Sequence, residues 1–183
     1  MTDLDQRATD AYRRAYACLR DAAGDAEVTL ATYFGPLGDN TELATSLPVD
    51  VLHLDLVRGR GQLDAVIAAR PDTLALSLGL VDGRNLWRSD LEALVPVVAD
   101  ALDRLGVDAV QLAPSCSLLH LPVDLSAEAA LDAELVSWLA FATERLDEIR
   151  ILGRVADGDA GSVGAELEAN RLAYDNDLTK SPV

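Results

Sequence analysis

The segment LPVDVLHLDLVRGRG, residues 47–61, decides the fold. Its centre, VLHLDLV at residues 51–57, carries polar groups at every second position, His53 and Asp55. That period of two is the period of a β-strand, so both side chains are expected on one face of a sheet. RGRG leads from this strand into a helical pattern over residues 62–69. The segment therefore predicts a strand that is followed directly by a helix.

The alternation of strand and helix continues in both directions. Gly24 is expected to close the first helix, Ser89 to cap the fourth and Pro96 to kink it. Because each strand is followed by helix, the pattern favours a parallel sheet with both faces covered. Strands are predicted at 28–34, 51–57, 74–80 and 108–113, and helices at 5–22, 41–47, 62–69, 91–105, 127–154 and 162–174.

Two architectures fit this order of elements, an open doubly wound sheet and half of an eight-stranded (β/α) barrel. The pattern of residues does not separate them. In both architectures, binding sites form outside the carboxyl ends of the strands. The loops where function is expected are therefore 34–40, 57–61, 79–89 and 113–124.

Length and charge restrict the classes of protein to which this chain can belong. A chain of 183 residues predicts a single domain, with 175–183 as a tail or linker. The net charge of −16 disfavours nucleic acid and anionic membranes as partners. No apolar run approaches the roughly 18 residues that span a bilayer. The amino-terminal segment is polar, and the two cysteines, Cys18 and Cys116, are far apart in the sequence. Both features indicate free thiols in a reducing cytoplasm.

One group of residues has the chemistry of a metal site. Asp55 and His53 lie on the second strand, and Cys116 and His120 follow the fourth. Carboxylate, imidazole and thiolate are zinc ligands. The spacing is not that of a known zinc motif, and the alternative is a buried thiol beside a hydrogen-bonded core histidine.

Two other loops contain reactive or anion-binding groups. Arg84, Asn85 and Arg88 precede a helix, where a carboxylate or phosphate could bind; the alternative is that the arginines pair with nearby acids. Ser115 is a further candidate ligand. The segment SCSLLH also offers a Cys or Ser nucleophile near His120, although its turn chemistry explains the residues equally well.

Several segments together resemble one enzyme family. LATYFGPLGDN, LPVDVLHLDLVR, LSLGLVDGRNLWRSDL and APSCSLLHLPVDL are similar to successive segments of cobalamin-independent methionine synthases. The resemblance runs from about residue 8 to residue 174 and preserves the order of the segments. GRNLWR and PSCSLLH are the most specific of these strings.

The resemblance implies two facing (β/α) barrels, of which the second binds zinc and homocysteine and the first helps to bind the methyl-donating folate. This chain corresponds to the second half of the first barrel. It is then an α/β chain, half of a (β/α)8 barrel, forming a single partial domain over residues 1–183. The resemblance thus implies a fragment or subunit that serves as scaffold and interdomain surface and is inactive alone. No cofactor is expected in this chain.

The implied partners are the missing half-barrel and the zinc barrel. Four strands leave two sheet edges unpaired, so self-association into a homo-oligomer is the other expectation. The alternative function is a non-catalytic half-barrel that binds or assembles. A third hypothesis is a small zinc enzyme that uses Asp55, Cys116, His53 and His120.

The duplication of barrels in the family allows the zinc ligands to be compared by strand order. The positions that correspond to the four ligands of the zinc barrel are Ala31, Tyr33, Asp55 and Cys116. The resemblance therefore implies that Asp55 and Cys116 are remnants of an ancestral site. A site with so few ligands is not expected to hold zinc.

Overall fold

A four-stranded parallel sheet, in the order β1-β2-β3-β4, is the centre of the structure. The computed structural model describes residues 4–175. The strands are β1 (Thr29–Ala31), β2 (Val51–Asp55), β3 (Ala75–Val81) and β4 (Val110–Pro114). The helices are α1 (Gln6–Ala23), α2 (Thr41–Ser46), α3 (Leu63–Ala69), α4 (Leu91–Leu105), α5 (Ala133–Trp138), α6 (Ala142–Ala156) and α7 (Gly164–Asp175).

The sheet confirms the predicted fold class. Four parallel strands, each followed by helix, are what half of a (β/α)8 barrel requires. The described residues divide into two compact units. The first contains residues 4–80 and 105–115, and the second contains residues 81–104 and 116–175.

The core of the first unit lies on both faces of the sheet. All five residues of β2 are buried, and Leu52 and Leu54 are fully inaccessible. Leu76 and Leu78 occupy the matching positions of β3, because Leu52 pairs with Leu76 and Leu54 with Leu78. Each buried leucine stabilises the fold by about 1.5–3 kcal/mol relative to an exposed one.

Both ends of α1 have the caps that its sequence requires. The side chain of Asp5 accepts a hydrogen bond from the backbone N–H of Ala8 (2.8 Å). Gly24 follows the helix with a φ of 56°, a conformation that favours glycine, as predicted. Arg20, in the last turn, donates to Asp50 (2.6 Å), whose pKa is lowered mainly by the backbone N–H of Val28.

The second unit packs its helices around its own core. Leu91, Leu94, Val98 and Ala101 of α4 are buried at helical spacing. A separate apolar cluster contains Leu125, Leu139 and Phe141, with Trp87 and Leu135 against it. The helix itself was predicted over residues 91–105.

Two details of the second unit differ from the sequence predictions. The helix predicted over 127–154 is interrupted, because Leu139 bridges to Trp87 and the N–H of Ala140 donates to the carbonyl of Leu86 (2.7 Å). The predicted N-cap was also wrong by one residue. The side chain of Asp90, rather than that of Ser89, accepts a hydrogen bond from the backbone N–H of Ala93 (3.0 Å), in the first turn of α4.

Several predictions concern features that the structure leaves open. Pro96 lies inside α4, and a kink there stays a prediction. Asp175 ends α7, and the rest of the predicted tail lies outside the described residues. Within residues 4–175, no helix has the length and apolar composition to cross a bilayer. The single partial domain and the cytoplasmic location stay predictions.

Candidate functional site

Asp55 lies at the carboxyl end of β2 and is completely buried. Its Oδ2 accepts a hydrogen bond from the backbone N–H of Phe34 (2.9 Å). Its Oδ1 accepts from the N–H groups of Val57 (3.0 Å) and Arg58 (2.9 Å). The guanidinium of Arg58 lies 3.8 Å from Oδ2. The carboxylate therefore holds together the two loops that follow β1 and β2.

The loop that Asp55 holds after β1 contains a strained residue. Phe34 has a φ of 70°, in the left-handed region, which costs a residue with a side chain about 1–2 kcal/mol. The rings of Tyr33 and Phe34 meet edge to face, with centroids 4.7 Å apart. Both residues remain exposed, by 42% and 43% respectively. The loop thus presents an aromatic pair at the carboxyl edge of the sheet.

Gln62 connects the same two loops through its side-chain amide. Its Oε1 accepts from the N–H of Leu37 (3.0 Å), and its Nε2 donates to the carbonyl of Asp55 (2.9 Å). Gly59 makes this possible, because a Cβ there would lie 2.5 Å from Nε2 of Gln62 and 3.0 Å from the Pro36 backbone. The predicted loop 57–61 is therefore part of a packed polar network.

His53 is a buried histidine with a partner at each ring nitrogen. Nδ1 lies 3.0 Å from Oγ of Ser77, and Nε2 lies 3.4 Å from the carbonyl oxygen of Ser115. A carbonyl can only accept, so Nε2 carries the proton and Nδ1 accepts from the Ser77 hydroxyl. Burial lowers the pKa of His53, which keeps the imidazole neutral at pH 7.

Gly79 allows β3 to approach this histidine closely. A Cβ at Gly79 would lie 2.6 Å from the carbonyl oxygen of Leu54, 2.8 Å from Cα of Ser115 and 2.9 Å from Cε1 of His53. Any larger residue would push backbone atoms apart. The polar groups of this unit are therefore packed as a structural core, in agreement with the alternative interpretation of His53.

Cys116 lies in the second unit and is buried. Its Sγ is 3.7 Å from the carbonyl oxygen of Ser117. A Cβ at Gly83 would lie 3.0 Å from this sulfur, so the thiol is tightly enclosed. His120, by contrast, is exposed at the end of a short 3-10 helix. The proposed zinc ligands are thus divided between units, with Asp55 and His53 in the first.

The loop with the candidate anion-binding residues is held from within by Arg145. This fully buried guanidinium donates to the carbonyls of Asn85 (2.6 Å) and Trp87, and to the hydroxyl of Ser89 (2.9 Å). It also pairs with Glu148 at 2.7 Å. Arg145 was not among the residues predicted from the sequence. The feature that could have identified Arg145 is its position on α6, where it shares the buried face of the helix with Glu148.

The candidate ligand residues themselves have local roles in this loop. The N–H of Arg84 donates to the Asp82 carboxylate (2.9 Å), and the side chain of Asn85 accepts from the N–H of Trp87 (3.3 Å). Arg88 donates through Nε to the carbonyl of Ser137 (2.6 Å). Whether Arg84, Asn85, Arg88 or Ser115 contacts a ligand stays a prediction. Among residues 4–175, no three His, Cys, Asp or Glu side chains are grouped as metal ligands.

Comparison with known proteins places the chain in a family. Residues 1–106, more than half of the chain, match the family model described as cobalamin-independent synthase, N-terminal domain. A 5-methyltetrahydropteroyltriglutamate–homocysteine methyltransferase of Salinibacter ruber is 51% identical over 94% of this chain. The enzyme of the same name from Nitratidesulfovibrio vulgaris is 53% identical over 92%. The chain spans 22% of the length of each relative.

A solved structure supports the fold alone. A putative vitamin-B12 independent methionine synthase from Listeria monocytogenes superposes with a TM-score of 0.54 at 17% sequence identity. The match covers 86% of this chain and 43% of that one. Since the family model covers more than half of the chain and about half of the residues aligned with each relative are identical, the chain belongs to the cobalamin-independent methionine synthase family, as part of its N-terminal domain.

Proposed function

We propose that this chain is a part of a cobalamin-independent methionine synthase and supports methyl transfer from 5-methyltetrahydropteroyltriglutamate to homocysteine. The observation that carries the proposal is the combination of 51% identity with coverage of only 22% of the relative. The chain supplies scaffold and interdomain surface and forms no methionine alone. Its partners are the remaining segments of the synthase.

The described side chains at the positions that correspond to the family's zinc ligands do not fit a zinc ion. Asp55 uses its oxygens to accept three backbone N–H groups, and a metal at that carboxylate would compete with those hydrogen bonds. Unpaired N–H groups in the interior are costly, so the exchange is unfavourable. Ala31 supplies no ligand atom. We therefore assign no step of the methyl transfer to a metal at Asp55 or Cys116, and we assign the zinc to the other barrel of the synthase.

The surface offered to the rest of the synthase lies at the carboxyl ends of β1 and β2. Tyr33, Phe34 and Val57 are exposed there as apolar side chains. Asp55 fixes the backbone of both loops, so this surface is formed before any partner binds. A preformed apolar surface binds with less loss of conformational entropy than a flexible one.

Complementation tests the proposal. The Salinibacter ruber relative is produced without its homologous segment, and methyl transfer to homocysteine is measured with and without this chain. We expect transfer only in the mixture. The double variant Tyr33→Ser/Phe34→Ser should weaken restoration, whereas Leu119→Ser, at a side chain that is 93% exposed in the second unit, should not.

The opposite outcomes identify the alternatives. Methionine formed by this chain alone would show an independent enzyme and contradict the proposal. A mixture without activity, in which light scattering shows the chain only as a homo-oligomer, would instead identify a non-catalytic assembly module.

A further inference from the structure

A groove of about 280 Å³ lies in the first unit, between α1, α2 and β1. Four consecutive residues, 30–33, contribute to its lining. Successive residues of a strand face opposite sides of the sheet, so a groove that touches all four reaches the edge of β1. The rest of the lining is mainly apolar and includes Leu37, Leu43, Ala44 and Leu47, together with Tyr12 and Tyr16 of α1.

The edge of β1 beside this groove is open. Within residues 4–175, β1 is the first strand of the sheet and has a neighbour, β2, on one side only. The N–H of Thr32 donates to the carbonyl of His53 (3.2 Å), and the carbonyl of Val28 accepts from the first residue of β2 (3.3 Å). By alternation, the N–H and C=O groups of Thr29 and Ala31 point to the open side, and both residues are exposed. Such an edge is a template for a further strand.

The helix beside the groove lacks most of the packing that a helix of its length normally has. α1 has 18 residues, and none of them is fully buried. The rings of Tyr12 and Tyr16 stack, with centroids 6.2 Å apart, and Tyr12 remains 42% exposed. Helices in proteins are stabilised mainly by packing of an apolar face, so these rings form a surface on which another segment can pack.

An open backbone edge and an apolar groove together specify an extended polypeptide as the ligand. Its backbone can pair with the outward groups of Thr29 and Ala31. Its side chains alternate between two faces, so every second one lies over the groove. Tyr33 lines the groove and also belongs to the exposed surface at the carboxyl ends of β1 and β2, so the two surfaces are continuous.

We infer that the open edge of β1 and this groove bind an extended segment of the remaining synthase, which runs parallel to β1 and inserts apolar side chains between α1 and α2. The choice of partner rests on the proposed function, since this chain spans only 22% of the length of its relatives. The direction follows from the sheet, in which β1, β2 and β3 pair in parallel.

A second copy of this chain fits the edge less well. A two-fold axis through that edge would pair the two β1 strands antiparallel, in a sheet that is otherwise parallel. Each copy also has a net charge of −16, so two copies repel one another.

Amide exchange in the full chain tests the inference directly. The probe is the Salinibacter ruber relative produced without its homologous segment, added to the nitrogen-15-labelled chain. We expect the N–H groups of Thr29 and Ala31 to exchange about tenfold more slowly or less in the mixture, because they become hydrogen-bonded. The N–H of Thr32, which already donates to β2, is the internal reference and should change much less.

A proline variant removes one donor from the open edge. Ala31→Pro deletes the outward N–H but no hydrogen bond to β2, and proline is tolerated where the N–H of an edge strand faces solvent. Association with the truncated relative, measured by sedimentation, should weaken about tenfold or more, because a buried carbonyl of the partner loses its donor. Ala133→Pro, at the exposed first residue of α5, is the matched control and should leave association unchanged.

A second pair of variants tests the groove and does not depend on the folding of Ala31→Pro. Tyr12→Lys places a charge in the apolar groove, so association should weaken about tenfold or more. Cys18→Lys, at an exposed position of the same helix outside the groove lining, should leave it unchanged.

The outcomes separate this inference from the proposed function. Association that leaves the Ala31 amide unprotected, or that Ala31→Pro and Tyr12→Lys leave unchanged, would overturn the inference while the proposed function stands. No association of the wild-type chain would contradict the proposed function itself. Protection of the Ala31 amide in the free chain, increasing with its concentration, would identify a second copy as the occupant and overturn the choice of partner.

Discussion

The carboxylate of Asp55 accepts a hydrogen bond from the backbone N–H of Phe34 at 2.9 Å, and this bond joins the end of β2 to a left-handed residue after β1. Since Phe34 is strained by itself, the loop needs a fixed acceptor to hold it. The residue that most resembles a metal ligand in the sequence is therefore an anchor for loop conformation.

Replacing Asp55 by asparagine should destabilise the first unit by about 2–4 kcal/mol. The amide NH₂ group would take the place of one carboxylate oxygen, and as a donor it could not accept the hydrogen bonds of the backbone N–H groups that face it. Urea unfolding followed by circular dichroism measures the change. Asp72→Asn, an exposed carboxylate in the same unit, is the control and should have little effect. Equal stability of the two variants would contradict the role of Asp55.

Gly79→Ala should destabilise the chain by about 1–3 kcal/mol, since its Cβ would overlap backbone atoms of Leu54 in β2 and of Ser115, directly after β4. Gly61→Ala is the matched control, because a Cβ there meets nothing within 4 Å. Thermal unfolding should show a lower midpoint for the first variant only. Similar midpoints would mean that the strands are not packed as described.

The buried His53 should make stability depend on pH. Its pKa is lowered in the folded state, so between that value and the usual value near 6.5 the unfolded chain binds more protons. Stability should therefore be complete above about pH 6.5 and fall as the pH decreases below it, by at most about 1.4 kcal/mol per pH unit.

The chain has two histidines, which allows a direct control for this prediction. His120→Asn should keep the pH dependence of unfolding free energy, and His53→Asn should lose this component of it. A pH dependence that disappears with His120 instead would contradict the assignment to His53.

Arg145→Met should destabilise the second unit by about 3–5 kcal/mol, because it leaves the buried Glu148 carboxylate without its guanidinium partner and frees the loop from Asn85 to Ser89. Adding Glu148→Leu should recover part of the loss. Arg150→Met, at an exposed position of the same helix, should cost much less. Tryptophan fluorescence in urea follows each transition, and a double variant no better than Arg145→Met would refute the pairing.

The order of strands and helices was predictable from the sequence because apolar periodicity and breaker residues act locally. Gly24 ended α1 as expected, and the first five residues of VLHLDLV, Val51–Asp55, formed a strand that is buried on both faces. The interruption after Trp138 was not predictable locally, since its cause is a bridge from Leu139 to Trp87, far apart in the chain.

The candidate site was predicted less well, for the same reason. The residue types of Asp55 and Cys116 are visible in the sequence, but their partners are not. The carboxylate of Asp55 accepts its hydrogen bonds from backbone N–H groups. Every residue except proline has such a group, so no pattern of side chains in the sequence predicts these hydrogen bonds. Arg145 acts on carbonyl groups about sixty residues away, which again leaves no local pattern.

Zinc content per chain, measured by elemental analysis after dialysis against a weak chelator, tests most directly the claim that Asp55 and Cys116 are structural and hold no metal. We predict no stoichiometric zinc in the wild-type chain and none in Asp55→Asn or Cys116→Ser. About one zinc per chain, lost in either variant, would contradict the claim, since a structural zinc site binds tightly enough to survive such dialysis.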